Sequence, residues 1–386
     1  MPISVAGSPA YDLAALRAEF PVTVRHAYLD HATFGPPPIA CADAVASTLR
    51  QLSEVRDLPV DWPPVVERTR ALAARLFGCE PDDIALLKST AEAMGLVALG
   101  LDWRDGDEVV VYEDEFPAGV LPWLNLAHLG VRVRFVRDRG RHRFDAADVA
   151  ELIGPRTRVV CLELVNFGNG LRVPVEAVSA ACREHGAYLL VDATQGAGVL
   201  PVDVGALGCD LLASHGYKFL SSAYGVAPCF VRRELRTRLR VPEPGWKSRA
   251  DLDHVETITD YDRVEYAEAA RRFEPSVPDV GSIAGMGASL ELLLGLGADA
   301  ISSWALRLAA ATADALEERG FRVVSSRREG ERSQIISIER DGVDPHELEA
   351  RLLEEGCAGA VREGRLRLSF HGYNDESDLE RVVAAL

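Results

Sequence analysis

Lysine is nearly absent from this chain. Only Lys88, Lys218 and Lys247 occur among 386 residues, and arginine supplies the rest of the 42 basic side chains. A guanidinium keeps its proton under all physiological conditions, so chemistry that needs a neutral amine falls to one of these three positions. The seven cysteines contain no C-x-x-C pair, and their number is odd. That argues against a disulfide framework and a thiolate zinc site, and for a reducing, cytoplasmic setting. No metal centre is expected. No apolar run reaches the roughly 18 residues that span a bilayer, and the N-terminal stretch lacks the basic-then-apolar pattern of a secretory leader. Positive charge is in deficit too. A formal net charge of -17 argues against nucleic acid or a membrane surface as partner.

What is present suits a soluble globular chain with a sizeable core, since 48% of the residues are hydrophobic. The length fits one large domain and one smaller one. The segment from residue 83 to 231 alternates short apolar runs with helical patterns: strands at 83–87, 108–112, 131–136, 157–164, 188–191, 210–213 and 226–231, with helices between most of them. Such alternation predicts an α/β architecture with a mainly parallel sheet covered on both faces. Helices are expected at 39–56, 64–77, 285–297 and 304–319. Residues 321–385 read as strand, strand, helix, strand, strand, helix, an α+β pattern. The expected division is an N-terminal arm (1–40), a large domain (41–285) and a small C-terminal domain (286–386). Polar, Pro- and Gly-punctuated sequence at 241–280 reads as long loops, expected to choose the substrate.

Open parallel sheets bind ligands beyond the carboxyl ends of their strands. Asp192 follows the strand at 188–191, and Lys218 follows the next one; Ser89, Thr90 and Asn166 also fall just after strands. A carboxylate and a lysine converging on one sheet edge are what pyridoxal 5'-phosphate (PLP) requires. The lysine forms a Schiff base and the carboxylate holds the proton on the pyridine nitrogen. Ser89 and Thr90 open a helix, where hydroxyls and free N–H groups suit either a helix cap or an anion.

Read together, these segments resemble the class V aminotransferase and cysteine desulfurase family of fold-type I PLP enzymes. The motifs carrying the resemblance are Tyr28-Leu29-Asp30-His31-Ala32-Thr33, Lys88-Ser89-Thr90-Ala91-Glu92-Ala93, Glu115-Phe116-Pro117-Ala118, Asp192 with Gln195, His215-Gly216-Tyr217-Lys218, and Arg367-Leu368-Ser369 followed by Tyr373-Asn374. The resemblance implies a fold-type I transferase fold. It makes Ser89, Thr90 and Ala91 the phosphate loop, with His215 and Tyr217 beside it. Phe116 would stack on the cofactor ring, and Asn166 and Gln195 would lie near its phenolic oxygen. Ser276 would reach the phosphate of a neighbouring copy in a homodimer with active sites at the interface. Arg367, with His31, would bind the substrate.

The implied activity is a PLP-dependent reaction of an amino acid, as a class V aminotransferase or as a carbon–sulfur β-lyase acting on a cysteine conjugate. Epimerisation and decarboxylation remain as alternatives. Persulfide-type desulfuration is disfavoured. Cys357 lies upstream of Arg367 without the loop that carries the nucleophilic cysteine of desulfurases, between Gly356 and Ala358 where a strand begins, and it reads as a small core residue.

Overall fold

The computed structural model describes residues 5, 7–54, 63–138, 140, 142–251, 261–262 and 264–386. An N-terminal arm leads into a two-residue strand, β1 (Ala27–Tyr28). The central strands follow: β2 (Ile84–Leu87), β3 (Glu108–Tyr112), β4 (Arg132–Val136), β5 (Thr157–Glu163), β6 (Tyr188–Asp192), β7 (Leu211–Ala213) and β8 (Ala227–Val231). They form one sheet in the order β2-β8-β7-β6-β5-β3-β4. The strands β7, β6, β5, β3 and β4 pair in parallel, whereas β8 runs antiparallel to both of its neighbours. Between β7 and β8 no helix intervenes, so the chain cannot cross over and must turn back. Lys218 sits in that return.

Alternate residues of these strands enter two cores, one on each face of the sheet. Val110, Val160, Leu189 and Val191 belong to one; Val109, Val159, Cys161 and Leu190 belong to the other. Burial on both sides explains why the strands read as continuous apolar runs.

Beyond the sheet, helix Val280–Leu296 starts earlier than its apolar pattern predicts, because the Asp279 side chain accepts from Ser282 N and caps it. Helix Ala298–Glu318 follows at an 80° bend. Among the described residues no single helix is long and apolar enough to cross a membrane. The predicted helix at 39–56 is observed as Ile39–Glu54, and its last two positions lie outside the described residues. Part of the expected substrate loops, residues 252–260 and 263, lies outside them as well.

The C-terminal strands are β9 (Arg322–Val323), β10 (Ile335–Glu339), β11 (Cys357–Ala358), β12 (Ala360–Arg362) and β13 (Arg365–Ser369). An antiparallel sheet orders them β12-β13-β10-β9. β11 instead pairs in parallel with β1, setting Ala27 opposite Cys357, and Asp30 bridges to Ser369. The first thirty residues thus reach across to the last thirty, and this link brings Arg367 to the carboxyl edge of the large sheet.

Candidate active site

The strand ends and the Lys218 return enclose a cavity of about 340 Å³. Thr90, Phe116, Asp192, Gln195, His215, Tyr217 and Lys218 line it, together with Glu163 and Thr194. Seven of these nine were predicted from sequence.

Lys218 is 7% exposed. Its Nζ lies 5.1 Å from the centre of the Phe116 ring and 5.9 Å from that of Tyr217. Burial lowers the ammonium to about 8, and the Asp192 charge opposes that drop. Asp192 ends β6 with Oδ1 accepting from Thr194 N at 2.9 Å, and burial raises its carboxyl. Gln195 donates from Nε2 to the Ala32 carbonyl at 3.0 Å, while its Oε1 is buried without a partner. His215 has a buried, unpartnered Nδ1; burial first and Lys218 second hold its imidazole down at about 4. The Tyr217 ring stacks on Tyr224 at 4.9 Å.

Several predicted residues stand elsewhere. The Ser89 hydroxyl accepts from Glu92 N at 3.1 Å and caps helix Thr90–Gly100, and Ser89 does not line the cavity. The Ala91 methyl is exposed and lines a separate opening with Leu99 and Pro117; only its backbone stays at the helix N-terminus. Asn166 is saturated. Its Nδ2 donates to Asp114 O and Glu163 Oε2, and its Oδ1 accepts from Gly168 N and Asn169 N. Those four bonds exhaust the amide, so Asn166 braces the loop after β5 and does not line the cavity. Ser276 is exposed on another opening, of about 910 Å³, beside Lys88 and Asp279.

His31 is the clearest correction. It is fully buried, with Nε2 2.7 Å from the Tyr373 hydroxyl and its ring stacked on His371 at 4.6 Å. The assignment to substrate binding fails because the imidazole faces an aromatic stack behind Lys218, away from the cavity. Arg367 is 1% exposed on β13. Nη1 donates to Phe167 O at 2.6 Å, and Nη2 reaches Thr33 Oγ1 at 2.6 Å and Asp30 Oδ1 at 3.3 Å. Its Nε is buried and unpartnered, and burial lowers the guanidinium to about 10.

Glu163 was missed from sequence, although it carries the signal that singled out Asp192, an acid closing a buried strand. Thr33 and Phe167 were missed too. Phe167 meets the Phe116 ring edge-on at 5.3 Å and lends its carbonyl to Arg367.

These residues fit pyridoxal phosphate. A buried amine with a lowered pKa can condense with an aldehyde, Asp192 can face a ring nitrogen, and the orphaned Gln195 Oε1 and His215 Nδ1 await polar partners. Among the described residues no group of three or more His, Cys, Asp or Glu side chains is placed to hold a metal ion. Burial raises the thiols of all seven cysteines, and Cys357, 1% exposed, sits inside β11.

Residues 46–382 match the family described as Aminotransferase class-V. A protein of Pyrococcus abyssi named "Probable cysteine desulfurase" is 28% identical over 337 residues, covering 83% of this chain and 82% of its own. "Probable cysteine desulfurase 2" of Mycobacterium leprae is 28% identical over 414 residues, covering 97% and 96%. The apo structure of a cysteine desulfurase from Thermococcus onnurineus superposes with a TM-score of 0.88 at 23% identity, covering 99% of this chain and 98% of the other. At that identity the likeness is one of fold. The names of these relatives weigh against setting persulfide desulfuration aside, as the sequence reading did.

Proposed function

The chain belongs to the aminotransferase class-V family and is a pyridoxal phosphate enzyme, and from that premise we propose that it breaks the Cβ–S bond of a cysteine-type amino acid without using a cysteine of its own. The relatives named as desulfurases support carbon–sulfur cleavage. The observation that carries the second half is the state of Cys357: its thiol is buried and raised, and its backbone is fixed opposite Ala27.

Bound in the cavity, the cofactor supplies an electron sink that acidifies the substrate Cα–H. Lys218 would hold it covalently, and its amine, when free, would serve as the base at Cα. Asp192 would keep a proton on the ring nitrogen. Arg367 would offer its fork to the substrate carboxylate, drawing on a guanidinium now shared between Asp30, Thr33 and the Phe167 carbonyl. The overall reaction would consume one water and release sulfide or a thiol from Cβ, with pyruvate and ammonia as the other products.

The experiment is incubation with L-cysteine and with cysteine S-conjugates, following sulfide or thiol, pyruvate and alanine. Pyruvate and sulfide in equal amounts, undiminished by Cys357→Ser, support elimination. Alanine with a protein-bound persulfide that disappears in Cys357→Ser would establish persulfide desulfuration instead. Turnover only with an added keto acid would point to transamination, and loss of chirality at Cα with solvent deuterium uptake to epimerisation.

We also read the chain as a homodimer. Leu99, Leu121 and Leu124 are exposed, Leu99 and Leu121 on the opening that Ala91 and Pro117 also line, and Ser276 is exposed as a residue that reaches a neighbouring copy would be. Light scattering on the eluted holoenzyme tests this: a mass of one chain would refute it.

A further inference from the structure

Glu163 is a second carboxyl in the Lys218 cavity, and neither the ring nitrogen nor the substrate carboxylate calls on it. It closes β5 in register with Asp192 on β6. Register mates on parallel strands project from the same face, here the face that carries Cys161 and Leu190. Its Oε2 is fixed by two donors, Asn166 Nδ2 at 3.0 Å and Phe167 N at 3.1 Å. This explains why Asn166 is saturated: it serves the carboxyl.

The groups that face Glu163 come from several elements. Asp192 stands beside it on β6. Glu115, from the loop after β3, accepts from the Glu163 backbone N–H through Oε2 at 3.0 Å. Lys218 is the cation that shares its cavity, and Arg367 acts on it from farther off. Two buried carboxyls share the cavity with one amine, and the buried Glu115 adjoins both, so these acids resist being ionised together. Asp192 is committed to the ring nitrogen when cofactor is bound, and Glu115 is tied to the β5 backbone. Burial, and next the Asp192 charge, push Glu163 far above the usual carboxylate range. An acid so raised, lining the same cavity as an amine so lowered, is a matched donor and acceptor.

We propose that Glu163 is the proton partner of Lys218. The proton that the amine gives up on becoming a free base passes to the carboxyl across the cavity they share, directly or through one water, forming an O–H bond as the N–H bond breaks, and it returns when the lysine is protonated again. The inference rests on the pyridoxal phosphate assignment and is independent of which amino acid is turned over.

Because the cofactor on Lys218 reports its own protonation through its visible absorbance, the test needs no substrate. The holoenzyme is titrated between acid and alkaline pH, wild type against Glu163→Gln. The amide oxygen still accepts from Asn166 and Phe167, so the packing is preserved, whereas the exchangeable proton and the charge are gone. The midpoint is expected to fall by about one pH unit or more, because the pair shares one proton, and without the carboxyl no negative charge is left in the cavity at this position while the nitrogen holds it. A midpoint unchanged within error would overturn the proposal and leave Glu163 a brace for the loop. Where Glu163→Gln fails to fold or to hold cofactor, Glu163→Asp decides, since it keeps the acid but withdraws it from the amine. A lowered midpoint there supports the pairing, and an unmoved one rejects it.

Discussion

The hydroxyl of Thr33 accepts from two guanidiniums at once, Arg367 Nη2 at 2.6 Å and Arg362 Nη2 at 2.9 Å. Both lone pairs are then used, and a residue of the N-terminal arm aims an arginine of the last strand. Removing that acceptor should loosen the fork without touching the cofactor. Thr33→Ala is expected to raise KM for the amino-acid substrate about tenfold, the equivalent of roughly 1.4 kcal/mol for a hydrogen bond to a charged group. The absorbance of the bound cofactor should not change, and Thr33→Ser should restore KM. An unaltered KM in Thr33→Ala would show that Arg367 is aimed by Asp30 and Phe167 alone.

A second link between arm and site is the approach of Gly35 to the lysine loop. Gly35 N donates to Tyr217 O at 2.8 Å, and a Cβ on Gly35 would stand 1.9 Å from the Lys218 carbonyl oxygen. No rotamer relieves a clash with backbone. Gly35→Ala is therefore expected to displace the Lys218 loop, lowering stability by about 1–3 kcal/mol and weakening cofactor retention. Thermal melts with and without added pyridoxal phosphate check this. A variant that melts and retains cofactor as the wild type does would mean that the loop can move aside freely.

The large sheet and the Asp192–Lys218 pair were legible because both rest on local pattern: short buried runs and the polar residue that closes each. The antiparallel course of β8 was not, because strand direction is set by what lies between strands, and the Ser214–Val226 return gives no periodic signal. Asn166 and His31 illustrate a different limit. Their residue types suit a site, but whether a side chain faces a cavity or is consumed by neighbours depends on contacts that no periodicity shows: loop neighbours and Asp114 for Asn166, and for His31 a tyrosine more than three hundred positions away. Glu163 was legible and was passed over, since its strand ends as Asp192's does.

Lys218 makes a prediction about cofactor capture. Its folded value is about 8, below the usual 10.5, so the neutral amine dominates above that pH. The rate at which apoenzyme takes up pyridoxal phosphate should rise with pH and level off near 8, well before an ordinary lysine would. The same shift affects stability. The unfolded chain binds the proton that the folded chain has released, so the lysine's unfavourable contribution is full below about 8 and vanishes as pH climbs toward 10.5. Lys218→Met should flatten that rise in the denaturation midpoint of the apoenzyme. A capture rate still climbing steeply at pH 10 would show that the amine is not lowered.

His371 sets the acid limit. It is fully buried, and its Nε2 must carry the proton because it lies 3.0 Å from the Phe219 carbonyl, which only accepts. Nδ1 is left bare and unpartnered, so a second proton would put a charge among stacked rings. Burial accordingly lowers its folded value from 6.5 to about 4. The sign follows from proton counting. Above pH 6.5 neither state is protonated at this ring and nothing is lost; between 6.5 and 4 the unfolded chain gains a proton that the folded chain refuses, and stability falls. Across that window the loss is about 3 kcal/mol, at 1.36 kcal/mol per pH unit. His371→Gln retains an N–H donor for Phe219 O and removes the titration. Its denaturation midpoint should therefore fall less steeply between pH 6.5 and 4 than that of the wild type, by the equivalent of up to one bound proton. Equal slopes in the two proteins would place the acid sensitivity elsewhere, on His31 or His215.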